Sequence, residues 1–339
     1  MSNLISLDLK EISSAGEFFP SNDIPAPPLF QDVSKLKSLH LTRVPIYPVL
    51  YNIPSLVELE LVGYTIPFGK FIGFLDSNAT LESIALSLGF VKASVWTVPE
   101  RMVSLPRLRR FVLTCDATGS RGLFSCLCLP RGIKIEVHES EGNSCWDLAS
   151  FLPHPPTPIQ DLLAPITTIK YRHSPKQYNL SNNNSSFSFH RRITESKISV
   201  ELNLFATGAV REFHLDLKFI SEDLATRLPR LLKRLPALEA LVISRASLYP
   251  RSLSALTEVP VLCPSLKTIA FFDCRVGGHI ITELKEIQAK REYLAAARLH
   301  RVVIIDQVFS PPLCDSIKEL RKFVPRVEVM VSNELPDLS

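Results

Sequence analysis

The sequence predicts an α/β solenoid, with short parallel strands on a concave side and helices and loops on a convex side. Three observations predict it. One apolar spacing recurs along the chain: an apolar residue, two others, an apolar residue, one other, and an apolar residue. A proline-containing lead-in precedes several of the copies. Amphipathic stripes at helical spacing fall between copies in the C-terminal half.

In chain order the spacing appears as Leu36-Leu39-Leu41, Leu56-Leu59-Leu61, Leu81-Ile84-Leu86 and Leu108-Phe111-Leu113. It returns as Ile166-Ile169-Tyr171, Val210-Phe213-Leu215, Leu238-Leu241-Ile243, Leu266-Ile269-Phe271 and Leu299-Val302-Ile304. Degenerate copies are Leu4-Leu7-Leu9, Ile133-Ile135-Val137 and Val327-Val329-Val331. The last two apolar positions of a copy lie two apart and therefore share one face of a strand, while the residues between them face the other way. Copies recur every roughly 20 to 34 residues outside the inserts, which brackets the leucine-rich repeat period. The middle positions Leu59, Leu241 and Ile269 are expected to be fully buried. A few aliphatics cannot offset the backbone entropy of ordering one unit, so neighbouring units must share a core. The lead-ins Ile53-Pro54-Ser55-Leu56, Leu105-Pro106-Arg107-Leu108, Leu235-Pro236-Ala237-Leu238 and Cys263-Pro264-Ser265-Leu266 are expected to hold the chain extended before each strand.

Helices are expected on the convex side over His279–Ala297, Pro312–Phe323 and Ser221–Leu235, the last with a kink or break at Pro229. Shorter pieces such as Phe68 to Leu75 are expected in the N-terminal half. Two segments interrupt the period. Glu139 to Pro165 is rich in Pro and polar residues. His173 to Lys197 contains Asn182-Asn-Asn-Ser-Ser186, near the alternating Phe187/Phe189 and Ile198/Val200/Leu202/Leu204. That alternation suggests a β-hairpin or a strand pair inserted in the solenoid, the alternative being a disordered loop with a stray alternating run. The expected organisation is N-terminal repeats over 1–172, a polar insert over 173–205, and C-terminal repeats over 206–339 continuing the same solenoid.

Composition narrows the function. The chain has 339 residues, 46% of them hydrophobic, enough for a large core. Its net charge of +4, from 38 basic and 34 acidic residues, favours neither nucleic acid nor a polyanion. The 12 glycines form no phosphate-binding loop, and neither a nucleophile elbow nor a His-Glu-x-x-His motif occurs. Seven cysteines at irregular spacing read as reduced thiols in an intracellular chain, cytoplasmic or nuclear. Cys126 and Cys128 form a C-x-C pair without the second pair that a zinc site requires. No signal peptide or membrane span is evident, and no cofactor, metal or catalytic residue is expected.

What remains is a binding surface. The strand positions between the apolar ones should line one concave sheet, which places His40, Glu58, Glu60, Arg109, Arg110, Glu212, His214, Lys267 and Arg301 on it. Patches of both signs fit a protein partner better than DNA, which would require one positive sign throughout. The competing element is the His173–Lys197 insert, since long loops often carry function. Arg227, Arg230, Lys233 and Arg234 on the expected Ser221–Leu235 helix read as a solvated face, the alternative being a site for an anionic partner.

The layout resembles one family. The shared features are the Leu/Ile-Pro-Ser-Leu-x-x-Leu-x-Leu lead-in, a Ser/Asn-rich insert followed by alternating strands, and Val210-Arg-Glu-Phe-His-Leu-Asp-Leu. Leu231-Leu-Lys-Arg-Leu-Pro-Ala-Leu-Glu-Ala-Leu and Leu299-His-Arg-Val-Val-Ile-Ile complete it. This is similar to the repeat region of fungal F-box/leucine-rich-repeat-like proteins, over nearly the whole chain. The resemblance implies a substrate receptor of a cullin-based ubiquitin ligase, whose repeats grip the substrate. An F-box would precede the repeats, whereas Met1 opens almost directly on Leu4-x-x-Leu7-x-Leu9. A Skp adaptor and cullin are therefore implied only where an F-box lies upstream.

Overall fold

The computed structural model describes residues 4–10, 33–43, 53–66, 68–90, 102–139, 152, 158–164, 166–172, 176–182, 186–191, 207–216, 224–246, 248–258, 260–274, 276–306 and 311–331. The protein is a mixed α/β chain whose strands pair mainly in parallel. It divides into two compact units, Met1–Ala164 with Asn184–Arg191, and Pro165–Asn183 with Arg192–Ser339.

In the first unit the strands are β1 (Ser6–Lys10), β2 (Ser38–Thr42), β3 (Glu58–Ile66), β4 (Ser83–Phe90), β6 (Arg110–Cys115) and β8 (Lys134–Glu139). They pair in that order, all parallel, and β11 (Ser186–Arg191) pairs parallel with β8. The short strands β5 (Val103–Ser104) and β7 (Leu127–Cys128) form a separate parallel pair. Helices α1 (Phe68–Ser77), α2 (Ala117–Cys126) and α3 (Pro158–Leu163) lie between strands in sequence. Phe71, Ile72, Phe74 and Leu75 make the buried stripe of α1. Asp116 caps α2, its carboxylate accepting from the Gly119 N–H at 2.6 Å.

In the second unit the strands run β9 (Thr168–Arg172), β12 (Glu212–Asp216), β13 (Ala240–Ser244), β14 (Thr268–Phe272), β15 (Arg301–Asp306) and β16 (Arg326–Val331), again in parallel. β10 (Lys176–Ser181) pairs antiparallel with β9. Helices α4 (Leu224–Leu232), α5 (Gly278–Tyr293) and α6 (Pro311–Leu320) fall where the stripes predict them, and α4 continues through Pro229. In both units the apolar positions of the recurring spacing form the core. Leu59 is 2% exposed, and Leu241 and Ile269 are fully buried.

The lead-ins are not extended. In each, the leucine two residues before the strand donates its N–H back three residues: Leu56 to Ile53, Leu108 to Leu105, Leu238 to Leu235 and Leu266 to Cys263, at 2.9–3.1 Å. Proline therefore sits at the second position of a tight turn, where its fixed φ is already correct and its missing N–H is not needed. Such turns bury carbonyls, and the next unit supplies the donors. The Ser55 hydroxyl lies 2.8 Å from the carbonyls of both Ser34 and Leu36. Thr80 does the same for Pro54 (3.2 Å) and Leu56 (2.8 Å). Before β15 the corresponding residue is Arg298, which pairs instead with Glu292. There the fully buried Arg291 of α5 takes over, donating to Cys263, Pro264 and Leu266 at 3.0–3.2 Å and to Ala297 at 2.7 Å. No described carboxylate pairs with it, and burial lowers its pKa.

Two strands are described within the segment expected to hold an inserted hairpin or strand pair. Its first strand, β10, pairs antiparallel with the repeat strand β9. Its second, β11, extends the first unit's sheet in parallel through Ser186↔Lys134 to His190↔His138. Ile198 to Leu204 and the 183–185 tip lie outside the described residues.

Candidate functional site

The strand register aligns the outward positions into rows. In the first unit one row reads Ser6, Ser38, Glu58, Ser83, Arg110 and Lys134, and the next reads Asp8, His40, Glu60, Ala85, Val112 and Glu136. Neighbouring rungs are about 4.8 Å apart, so charges on them interact directly. Ser38 is hydrogen-bonded to His40 at 2.9 Å and donates to Glu58 at 3.2 Å. His40 lies 3.4 Å from Glu60, and His138 lies 3.8 Å from Glu136. This face is polar, and its carboxylates Glu58, Glu60 and Glu136 each have a side-chain partner.

In the second unit the equivalent rows read Thr168, Glu212, Ala240, Thr268, Arg301, Arg326 and Lys170, His214, Val242, Ala270, Val303, Glu328. Arg301 grips Glu328 with two hydrogen bonds of 3.1 and 2.8 Å, and Arg326 pairs with the same carboxylate. The Arg301 hydrogen bonds hold the Glu328 carboxyl below its ordinary value, with the two guanidinium charges adding to the effect. His214 lies 3.7 Å from Glu212. Burial, then the nearby Lys170, lowers the pKa of His214, while Glu212 opposes them. Beyond the strand end, Arg245 forms a forked pair with Asp216. Arg245 adopts a left-handed backbone, as do Arg43 and Asp273 at the same place after β2 and β14. In each case the N–H of that residue donates to the next strand.

Between these charged groups lies an apolar cluster of Val242, Ala270, Phe272, Val303 and Ile305, exposed by only 2–8%. These are outward positions, so this part of the sheet is buried on both faces. The signal was present in the runs Leu241-Val-Ile, Ile269-Ala-Phe-Phe and Val302-Val-Ile-Ile, which do not alternate with polar residues.

Of the nine residues expected on one surface, His40, Glu58, Glu60, Arg110, Glu212, His214 and Arg301 occupy outward rows, the first four in one unit and the last three in the other. Arg109 and Lys267 stand one residue before β6 and β14. Strand alternation cannot send both Arg109 and Arg110 to one face. Arg109 pairs with Glu82 at 3.8 Å, and Lys267 with Glu239 at 3.4 Å, where the chain enters the sheet. Lys134, Glu136, Arg326 and Glu328 were missed because their units are degenerate copies of the spacing.

Among the described residues, no group of three or more His, Cys, Asp or Glu side chains is placed to hold a metal ion. Burial pushes the Cys126 thiol up to about 11 and the Cys263 thiol up to about 12, far from the thiolate a nucleophile needs. No helix among the described residues is long and apolar enough to cross a membrane. No protein-family model matches the chain, and no curated protein matches it.

Proposed function

We propose that the chain is a leucine-rich-repeat solenoid that binds a protein partner through its outward sheet face, without catalysis, in the cytoplasm or nucleus. The observation that carries this reading is the in-register recurrence of one turn–strand unit, which aligns charged outward residues in rows on a rigid backbone. A rigid array of this kind meets a partner with little ordering entropy. The layout resemblance extends the proposal to the substrate-recognition region of an F-box-type ubiquitin-ligase receptor. The second reading is a free-standing repeat scaffold unrelated to ubiquitin. An in-frame three-helix Leu-Pro segment encoded upstream of Met1 supports the receptor, and a stop codon there supports the scaffold.

The test compares proteins co-purifying with the wild-type chain and with His40→Ala, His214→Ala and Arg301→Ala variants, quantified by mass spectrometry. A hot-spot truncation weakens binding by about 2 kcal/mol or more. The expected result is a discrete partner set lost from at least one variant with an unchanged melting curve. A partner set unaffected by all three variants sinks the sheet-face assignment. Deleting 173–197 would not isolate the insert, because it removes a strand from each unit.

A further inference from the structure

Arg110 and Lys134 are direct neighbours on adjacent parallel strands. Both are exposed, and neither side chain has a hydrogen bond or ion pair among the described residues. Like charges facing each other across a sheet are unfavourable. Three residues before each stands another exposed arginine, Arg107 and Arg131, also without a partner among the described residues. Four exposed cations therefore lie on β6, β8 and the turns that precede them.

The second unit shows how such a pair is neutralised internally. Arg301 and Arg326 occupy the same row on neighbouring strands, and Glu328, two residues along from Arg326, takes both guanidinium groups. In the first unit the carboxylate at the same offset is Glu136, two residues along from Lys134. It is paired with His138 instead. The arrangement is the same, but the first unit's cations have no counter-charge among the described residues.

We propose that Arg110 and Lys134, with Arg107 and Arg131, form the docking surface for an acidic segment of the protein partner, a step that rests on the sheet-face reading above. Charge complementarity selects the occupant. A carboxylate-bearing peptide supplies to Arg110 and Lys134 what Glu328 supplies to Arg301 and Arg326. The surface is short as well as cationic. Glu82 already pairs with Arg109, and Glu58 and Glu60 lie on β3, two strands away. An acidic stretch of a few residues fits this footprint, whereas a polyphosphate backbone would run onto the carboxylates.

The experiment titrates the full chain into a fluorescein-labelled oligo-glutamate peptide, read by fluorescence anisotropy at low ionic strength, with labelled oligothymidylate in parallel. Saturable binding of the peptide is expected, weakened by added salt. Arg110→Glu/Lys134→Glu should weaken it by about tenfold or more. Arg230→Glu/Lys233→Glu makes the same change in net charge on exposed residues of another unit, and should leave the affinity within about twofold. Arg110→Ser/Lys134→Ser, which copies the residue at Ser38 and Ser83 of the same row, serves if the charge reversal does not fold. Three results overturn the proposal: no saturable binding, equal losses in both charge-reversal variants, or tighter binding of oligothymidylate through Arg110 and Lys134. None of them touches the co-purification test, which uses His40, His214 and Arg301. The two readings therefore fail separately.

Discussion

The outward faces of the two units begin from the same strand register and end in different physics. On the first, polar residues occupy the outward rows of β2 through β8, broken by Ala85, Val62 and the half-buried Val112. On the second, the corresponding positions of β13, β14 and β15 hold Val242, Ala270, Phe272, Val303 and Ile305, all buried. A charged triad on β15 and β16 closes on itself beside that cluster, whereas the matching triad on β6 and β8 stays open. A sheet face can thus serve stability or recognition depending only on the residues between the core positions, since the backbone and register are shared. The second unit's face pairs Arg301 and Arg326 with Glu328, and among the described residues the first unit's Arg110 and Lys134 have no such carboxylate.

The largest effect should come from breaking the apolar cluster. Phe272→Ala or Ile305→Ala should cost about 3–5 kcal/mol in urea unfolding. Thr42→Ala or Thr114→Ala, at the same row on the first unit, should cost about 0.5 kcal/mol or less. Equal costs in both units would dissolve the distinction. Arg291→Leu comes next, at about 3 kcal/mol, because it strips donors from several buried carbonyls at once. Arg291→Lys should recover only part of that, as an ammonium cannot span the set. Recovery to wild-type stability by lysine would mean that charge, rather than the forked geometry, holds the turn.

Glu328→Gln sharpens the comparison by making the second unit's triad resemble the first's. It should cost about 1 kcal/mol at neutral pH. The folded pKa of Glu328 lies below its ordinary value of 4.5, so the ionised form stabilises the fold above that pH. The contribution is lost as pH falls below 4.5 through the lowered folded value. Acid titration of stability should therefore be shallower in the glutamine variant, and an unchanged profile would contradict the pairing. The smallest effect, and one of opposite sign, belongs to Lys134→Ser. Removing one member of a facing like-charge pair should stabilise the free chain by a few tenths of a kcal/mol in the same urea assay. A destabilisation would show that Lys134 already has a counter-charge.

Much of this was legible in the residues. The recurring spacing located β1 to β4, β6, β8, β9 and β12 to β16 but not β10 or β11, and helical stripes located α4, α5 and α6. Arg291 was also readable in principle. It continues the stripe Ile280, Leu284, Ile287 of α5, together with the buried Gln288, at positions where a polar side chain must find buried partners. The apolar runs of β13 to β15 announced a doubly covered sheet in the same way. The lead-in was recognised as a unit, but its conformation was not. Proline is equally suited to an extended approach and to the second position of a turn, and only the hydrogen bond from the residue two places on separates them.

The sequence by itself determined which residues face the core, because burial follows from spacing within one strand or helix. It also determined that charges of both signs would line the other face. The tertiary structure alone decided which of those charges meet. Arg110 and Lys134 are 24 positions apart and Arg301 and Arg326 are 25, and no local pattern shows that each pair becomes neighbours or which carboxylate lies within reach. Strand order added a second decision. β10 and β11 are close in sequence, yet one pairs antiparallel with β9 and the other parallel with β8. Pairing across rungs depends on register between distant segments, and register is a property of the assembled sheet.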